Sequence, residues 1–585
     1  MFARLRPLAP YLKRYWKSLA WGGVAVILYN VVKVMIPLVI GHAIDDMREG
    51  LTEAKIIHHS LRLLGVAAIS AIFLYITRQV IIGVSRVIEF DLRNDLFRNL
   101  ERQPPEFYHM HRTGDIMART TNDLNAVRQL LGPAIMYSAN TIVFTAAALP
   151  FMWRISPKLT MCAFVPLPLA SVLVQQFGAR IHTRFERIQA MFSDISAKAQ
   201  ENFSGARLIR AFAQEDAEIA SFETANQEYI RRSLLLVRLM AMLWPTLEFV
   251  LGLSLMISLL VGGHEVVTHR ISVGQFTSFN VYMVQLTWPM IAVGWVVNLF
   301  QRGTASVVRI DELLKHKPAI WDSEGDTAEA VATAPIAGAI TFRELNFAYG
   351  ESAPVLEGID LEIPAGSSLA LVGPTGSGKS TLVSLIPRLA DAAPGMVLID
   401  GRPIREFRLA ELRASIGFVP QETFLFSDTI RNNIAFGAPG ATLDEVEHAA
   451  ETAHIRTEIR EFPHGFETMV GERGVTLSGG QKQRTAIARA VIRDPRILIL
   501  DDALASVDTY TEDQILNGLK GEMEGRTTIL IAHRISTARH ADQIAVLVEG
   551  RIRELGTHDE LMARGGYYTN LYEKQQLEEE LAVAG

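Results

Sequence analysis

The sequence predicts a polytopic α-helical membrane domain, six spans extended into the cytosol, fused to an α/β domain built on a phosphate-binding loop. Three observations carry this expectation. Six apolar stretches lie in the first half of the chain, charge divides unevenly between the halves, and a glycine-rich loop follows a strand-like run in the second half.

Each of the six stretches is long enough to cross a hydrocarbon core of about 30 Å, which takes roughly 20 helical residues. They lie near 19–44, 61–84, 130–153, 157–180, 239–263 and 275–300. The connections alternate between short (45–60, Arg154–Pro157, 264–274) and long (85–129, 181–238). Residues 1–320 carry 33 Lys+Arg against 23 Asp+Glu, while 321–585 carry 24 against 40, so a basic apolar half precedes an acidic one. That division suggests a membrane part and a soluble part. The acidic sign of the soluble part argues against nucleic acid as a partner.

The long connections are rich in Arg86, Arg93, Arg98 and Arg128, then Arg180, Arg184, Arg207 and Arg210, with Arg4, Arg6 and Lys13 ahead of the first span. The bias of basic residues toward the cytoplasmic side places both termini and both long loops in the cytosol. Within 85–103, Val87, Phe90, Leu92, Leu96 and Leu100 recur near helical spacing, so the spans are expected to continue as helices well beyond the membrane. The start, MFARLRPLAPYLKRYW, lacks the compact apolar run and small-residue cleavage site of a signal peptide and reads as a cytosolic approach to the membrane. The single cysteine, Cys162, sits in an apolar stretch and reads as a core residue, with no disulfide framework or cysteine metal site.

Three ionisable residues fall inside spans: Lys33, Arg78 and Glu248. Charge at membrane depth is costly, so each either meets substrate or a wet cavity, or is held by an internal ion pair or by reaching to the interface.

After a small and polar stretch, WDSEGDTAEAVATAPIAG, the strand-like runs AITFRELNFAYG and SLALV appear. The loop GPTGSGKS at 373–380 follows directly, then the helical run TLVSLIPRL. In this loop, which also contains Pro374, Thr375 and Ser377, Gly373, Gly376 and Gly378 let backbone N–H groups close around phosphates; Lys379 reaches the β- and γ-phosphates, Ser380 ligates Mg²⁺, and Thr381 opens the helix whose positive end faces the anion. Downstream, the all-apolar ILIL at 497–500 reads as a strand buried on both faces, ending in Asp501, a second Mg²⁺ ligand.

Between these two elements lies LSGGQKQRTAIARA at 477–490. In this order the phosphate loop, LSGGQ and ILILDD resemble the ATP-binding cassette family over about 340–575. The resemblance implies that Ser478, Gly479, Gly480 and Gln481 bind the γ-phosphate of ATP held by an opposite subunit. It also implies that Tyr349 stacks on adenine, that Gln421 contacts Mg²⁺ and the membrane domain, and that His533 is the switch histidine on the γ-phosphate. GERG at 471–474 and Ser506-Val507-Asp508 match segments that touch the cytosolic loops and the partner cassette. The membrane half resembles the six-span exporters of multidrug and lipid type, with coupling loops at 107–128 and 201–222 and Phe212 a contact.

One position departs from the family pattern. Where the family carries Glu after the magnesium-binding Asp, this chain has Asp502, one methylene shorter. An intact signature beside a short base resembles the degenerate-site subunit of a heterodimeric bacterial exporter.

These readings divide the chain into a membrane domain (1–320), a linker (321–339), the cassette (340–575) and a tail (576–585). The expected function is ATP-driven export of amphipathic small molecules, lipids or peptides by a dimer, favoured as a heterodimer, in a bacterial inner membrane. An ATP-gated channel or regulatory ATP-binding membrane protein is the alternative; a soluble cassette ATPase is excluded if the spans insert.

Overall fold

The computed structural model describes residues 2–50, 52–322, 335–350, 352–471, 477–504, 509–532 and 534–584. It divides into two compact units: Met1–Glu101 with Arg112–Lys317, and Arg102–His111 with Pro318–Gly585.

The first unit is built of long helices: α1 (Trp16–Arg48), α2 (Glu53–Leu100), α3 (Thr113–Ile155), α4 (Pro157–Phe164), α5 (Leu167–Ser204), α6 (Glu215–Val267) and α7 (Val273–Lys315). Five of them, α1, α2, α3, α6 and α7, are long and apolar enough to cross a membrane. At 1.5 Å per residue, the 48 residues of α2 and the 53 of α6 reach roughly 70 and 80 Å, more than twice the hydrocarbon thickness. The expected helical extensions of the spans are therefore real. The fourth stretch, 157–180, is not one helix: it breaks between α4 and α5 at Val165–Pro166. Pro166 has no N–H to give to residue 162, and its ring crowds that carbonyl. In α3 the hydrogen-bond ladder widens to π geometry at Arg119–Asp123 and Leu130–Ala134, the second turn containing Pro133, which again removes one donor.

Packing between the ends of α1 and α7 depends on two glycines. A Cβ on Gly274 would lie 2.0 Å from the Gly41 carbonyl oxygen, so only glycine admits this approach. Asp45 of α1 seals it, accepting from the Gly274 N–H at 2.7 Å and from the Ser272 hydroxyl that caps α7. Deeper in the bundle Phe144, Met152, Phe279, Tyr282 and Leu286 form a buried core, and the Tyr282 hydroxyl donates to the Val34 carbonyl at 2.6 Å.

The second unit carries two sheets. A mostly parallel one has the order β10-β9-β3-β8-β7-β6 (Arg551–Gly556, Gln543–Val548, Ser368–Val372, Thr527–Ile531, Ile497–Asp501, Ile416–Val419), with only the edge strand β10 antiparallel. An antiparallel sheet orders β2-β1-β4-β5 (Leu356–Ile363, Ile340–Phe347, Val397–Ile399, Arg402–Pro403). Successive strand residues point to opposite faces. Leu498 and Leu500 of β7 therefore enter one core and Ile497 and Ile499 the other, and both faces are covered. This is why ILIL reads as an uninterrupted apolar run.

The segment Arg102–His111 groups with these sheets rather than with the membrane helices that flank it. It contains the short helix Pro105–Met110, whose Phe107 is buried and stacks on His111 at 4.2 Å. The second long connection carries the short helix Ala206–Ala211, with Leu208 and Phe212 exposed.

Candidate active site

The carboxyl ends of the parallel strands gather the polar residues, as expected where such sheets bind ligands. β3 ends at Val372, and the chain turns through Gly373 at φ +147° and Gly378 at φ +100°, a region that side-chain-bearing residues rarely enter. A Cβ on Gly373 would also meet the Leu547 carbonyl oxygen at 2.0 Å. Both conformation and space therefore demand glycine there. Helix α8 (Lys379–Ser384) follows at once.

Lys379 is buried, and its ammonium donates to the carbonyl oxygens of Gly373 and Pro374, each at 2.9 Å, curling over the loop it belongs to. Burial lowers its pKa from the usual lysine value, opposed by the nearby carboxylates of Asp502 and Asp501. An oxyanion entering the loop would give this ammonium a charged acceptor in place of neutral carbonyls, a stronger hydrogen bond.

β7 lies two strands from β3, with β8 between them, and delivers Asp501 to the loop. The Ser380 hydroxyl donates to Asp501 Oδ1 at 3.0 Å. A hydroxyl oxygen and a buried carboxylate converging from different elements form a hard-oxygen pair suited to Mg²⁺, which keeps most of its remaining shell for water and phosphate.

Asp502 follows at φ +49°, its N–H reaching the Ile531 carbonyl at 3.3 Å. Asp is among the residues that tolerate this left-handed backbone. Gln421, exposed just beyond β6, reaches Asp502 Oδ2 with its amide at 3.5 Å. Asp502 also lines a cavity of about 110 Å³ together with Glu512, Ala532, Arg534 and Thr537. Tyr349 stands half-exposed beyond β1, edge-on to Phe347 at 4.9 Å, its hydroxyl 3.4 Å from that of Thr381.

Thus Tyr349, Gln421, the loop from Gly373 to Thr381, Asp501 and Asp502 come together, as their motifs imply. Ser478–Gln481 lead elsewhere within this chain. Ser478 caps the helix α9 (Gly479–Val491): its hydroxyl accepts from the Gln481 N–H at 3.3 Å and the Gln481 side chain accepts from the Ser478 N–H at 2.9 Å. LSGGQ is therefore also a capping box. The Gln481 amide continues to Glu458 at 3.0 Å, and Arg484 pairs with the same carboxylate at 2.6 Å. Sequence reading missed Glu458, because no motif surrounds it. It missed Glu512 too, a buried carboxylate held by Arg534 and the Thr537 hydroxyl. His533, Ser506-Val507-Asp508 and all of GERG except Gly471 lie outside the described residues.

A parallel sheet presenting a phosphate loop, fused behind a domain of membrane-length helices, defines an ATP-hydrolysing membrane transporter. The chain belongs to the ATP-binding cassette transporter family: residues 19–290 match the ABC transporter transmembrane region and residues 356–505 the ABC transporter domain. Exporters of this class bind ATP and act as dimers. The chain is 36% identical over 574 residues to the multidrug resistance-like ATP-binding protein MdlA of Escherichia coli (strain K12), covering 98% of this chain and 96% of that protein. It is 37% identical over 503 residues to an ATP-dependent lipid A-core flippase of Syntrophus aciditrophicus (strain SB), covering 85% and 82%. A solved bacterial Atm1-family ABC exporter with ATP bound superposes with a TM-score of 0.77 at 28% identity, covering 96% of this chain and 98% of the other.

Proposed function

We propose that this chain is one subunit of a heterodimeric bacterial inner-membrane exporter of amphipathic small molecules, lipids or peptides, and that its own ATP site hydrolyses slowly. The observation that carries the proposal is Asp502. Its backbone is fixed by the Ile531 carbonyl, so the missing methylene withdraws the carboxylate by about 1.5 Å, one C–C bond. Catalysis of phosphoryl transfer rests on positioning, so water activation suffers while binding does not.

In this reading Lys379 and the backbone N–H groups of the loop 373–381, all but Pro374, would hold the phosphates, Tyr349 would stack on the adenine, and Ser380, Asp501 and Gln421 would hold Mg²⁺. The ion supplies neutralisation of charge on the transferred phosphoryl oxygens. His533 contacts the γ-phosphate. Ser478–Gln481 serve a second chain: their backbone amides open α9, and the capping box pre-organises them to receive an anion. Exposed Phe203, Leu208 and Phe212, around the short helix Ala206–Ala211, support the same conclusion, since apolar side chains clustered on a connection mark a docking surface. The termini and long connections lie in the cytosol, with the domain limits at 320, 340 and 575.

The test is ATP turnover of the purified complex with Ser478→Arg or Asp502→Ala in this chain. Ser478→Arg should remove most activity although it lies outside this chain's own phosphate loop, and Asp502→Ala should cost far less. Purification as an active homodimer, with turnover abolished by Asp502→Ala, would make Asp502 the working base and overturn the heterodimer.

A further inference from the structure

The last helix of the cassette reaches back to the segment that follows His533. Two helices, α10 (Thr509–Met523) and α12 (Tyr567–Ala584), contact a helix of one turn, α11 (Ile535–Ala538), which begins two residues after that histidine. Upstream of His533 the sheet fixes the backbone. β8 ends at Ile531, whose carbonyl accepts from the Asp502 N–H at 3.3 Å, and the Ala532 N–H donates to the Leu371 carbonyl of β3 at 3.2 Å.

Downstream, side chains take over. Glu512 of α10, 3% exposed, accepts from both the Arg534 guanidinium and the Thr537 hydroxyl. Ile535 is 1% exposed, and its N–H stands at the first position of α11, where the helix itself offers no acceptor. Arg534, at the cap position, supplies none from its side chain; the Gln575 side-chain oxygen of α12 does, at 2.8 Å. A buried backbone N–H requires such a partner.

Helix α12 is anchored firmly enough to place that oxygen. Glu554 of β10 accepts from the N–H groups of Tyr567 and Tyr568 at 2.6 and 3.0 Å, and Tyr568 is fully buried with its hydroxyl 2.8 Å from His558 Nδ1. Leu571 and Tyr572 pack on the same core. Tyr568, Leu571, Tyr572 and Gln575 follow the i, i+3, i+4, i+7 spacing of a single helix face, so the packed face of α12 carries Gln575 to α11. The segment it holds belongs to the nucleotide site: Ala532, Arg534 and Thr537 line one cavity with Asp502 and Glu512.

We propose that Gln575 and Glu512 are positioning residues for γ-phosphate recognition. They fix the backbone on the downstream side of His533, so that the site tells ATP from ADP, and Gln575 makes that discrimination depend on the docking of α12. A hydrogen bond is lost beyond about 3.5 Å, so a backbone released by about 1 Å forfeits the contact. The inference rests on the reading of His533 above and adds two residues that act through it.

The experiment is photolabelling of this chain in the purified full-length transporter with an azido-ATP, competed by unlabelled ATP or ADP with Mg²⁺ present. Wild type should prefer ATP. Gln575→Met, which keeps the length and loses the acceptor, should cut that preference about tenfold and leave ADP affinity within about twofold, the size expected for one hydrogen bond to a charged group. Gln575→Glu keeps an acceptor oxygen and should retain the preference, while Glu512→Gln, which loses the charge that holds Arg534, should behave like Gln575→Met. His533→Ala should remove the preference by itself, and Gln575→Met added to it should change nothing further, since residues acting through one another are not additive. An unchanged preference in Gln575→Met beside a lost one in His533→Ala would overturn this inference alone. Equal weakening of ATP and ADP, which marks a merely structural role, or an additive loss in the double variant would overturn it too. A preference untouched by His533→Ala defeats the reading of His533 itself, and this inference with it.

Discussion

Lengthening the base by one methylene should restore hydrolysis at this chain's own site. Asp502→Glu carries the carboxylate about 1.5 Å further from a Cα held by the Ile531 carbonyl. There is room: the side chain lines a cavity of about 110 Å³, and a methylene is no larger than one water's share of liquid volume, about 30 Å³. Misplacement of a reacting group by about 1 Å costs on the order of 100-fold, so turnover at this site should rise by about 10- to 100-fold, or 1.4 to 2.7 kcal/mol of barrier. In the proposed heterodimer the gain would be masked by a faster second site. Ser478→Arg removes that site, so the informative comparison is Ser478→Arg alone against Ser478→Arg with Asp502→Glu. The assay is phosphate release from the purified complex at saturating ATP. A double variant no faster than Ser478→Arg, combined with complete loss of turnover in Asp502→Ala, would refute the reasoning and make aspartate the base at its working length.

Lys379→Ala should abolish high-affinity nucleotide binding at this site, read by photolabelling with an azido-ATP; undiminished labelling refutes the phosphate assignment. On a Cys162→Ser background, single cysteines within 45–60 and 264–274 should react with an impermeant reagent applied outside the cell, while Asp115→Cys should not; external labelling at 115 overturns the proposed topology. Gly274→Val should place a Cβ against the Gly41 carbonyl and force α1 and α7 apart, costing roughly 1–3 kcal/mol for overpacking; the measure is the monodisperse yield after detergent extraction, and wild-type yield would show that the helices part freely. Near the ends of α3 and α7, burial raises the pKa of Asp123, but hydrogen bonds from Arg309 and Ser306 more than offset it and hold the carboxyl below its usual range. Its stabilising contribution is therefore present above the ordinary aspartate pKa and lost as pH falls through the lower folded value. Asp123→Asn should destabilise at pH 7 and flatten the acid limb of thermal unfolding measured between pH 3 and 5; an unchanged limb would place the acid sensitivity elsewhere.

What the sequence by itself determined is whatever is encoded locally. Span lengths, the alternation of short and long connections, the all-apolar β7 and the phosphate loop are short-range patterns, fixed by helix rise, strand alternation and the left-handed backbone that glycine admits. Asp501, Ser380 and Lys379 were legible because their chemistry is written in contiguous motifs. Tertiary structure decided what lies between distant residues. Asp45 holds Ser272, the cap of a helix 227 residues further on, and Glu458 holds the signature's Gln481 from 23 residues upstream, with no motif to mark either carboxylate. The break at Pro166 was written in a single residue, yet the apolar run around it suited an uninterrupted span, and hydropathy does not register a missing backbone donor. Lys33 could be seen as a misplaced charge, but not as lying over the ring of Phe144 on another helix. Helical spacing orders residues within one helix, and only the packing of α1 against α2 and α3 sets which faces meet.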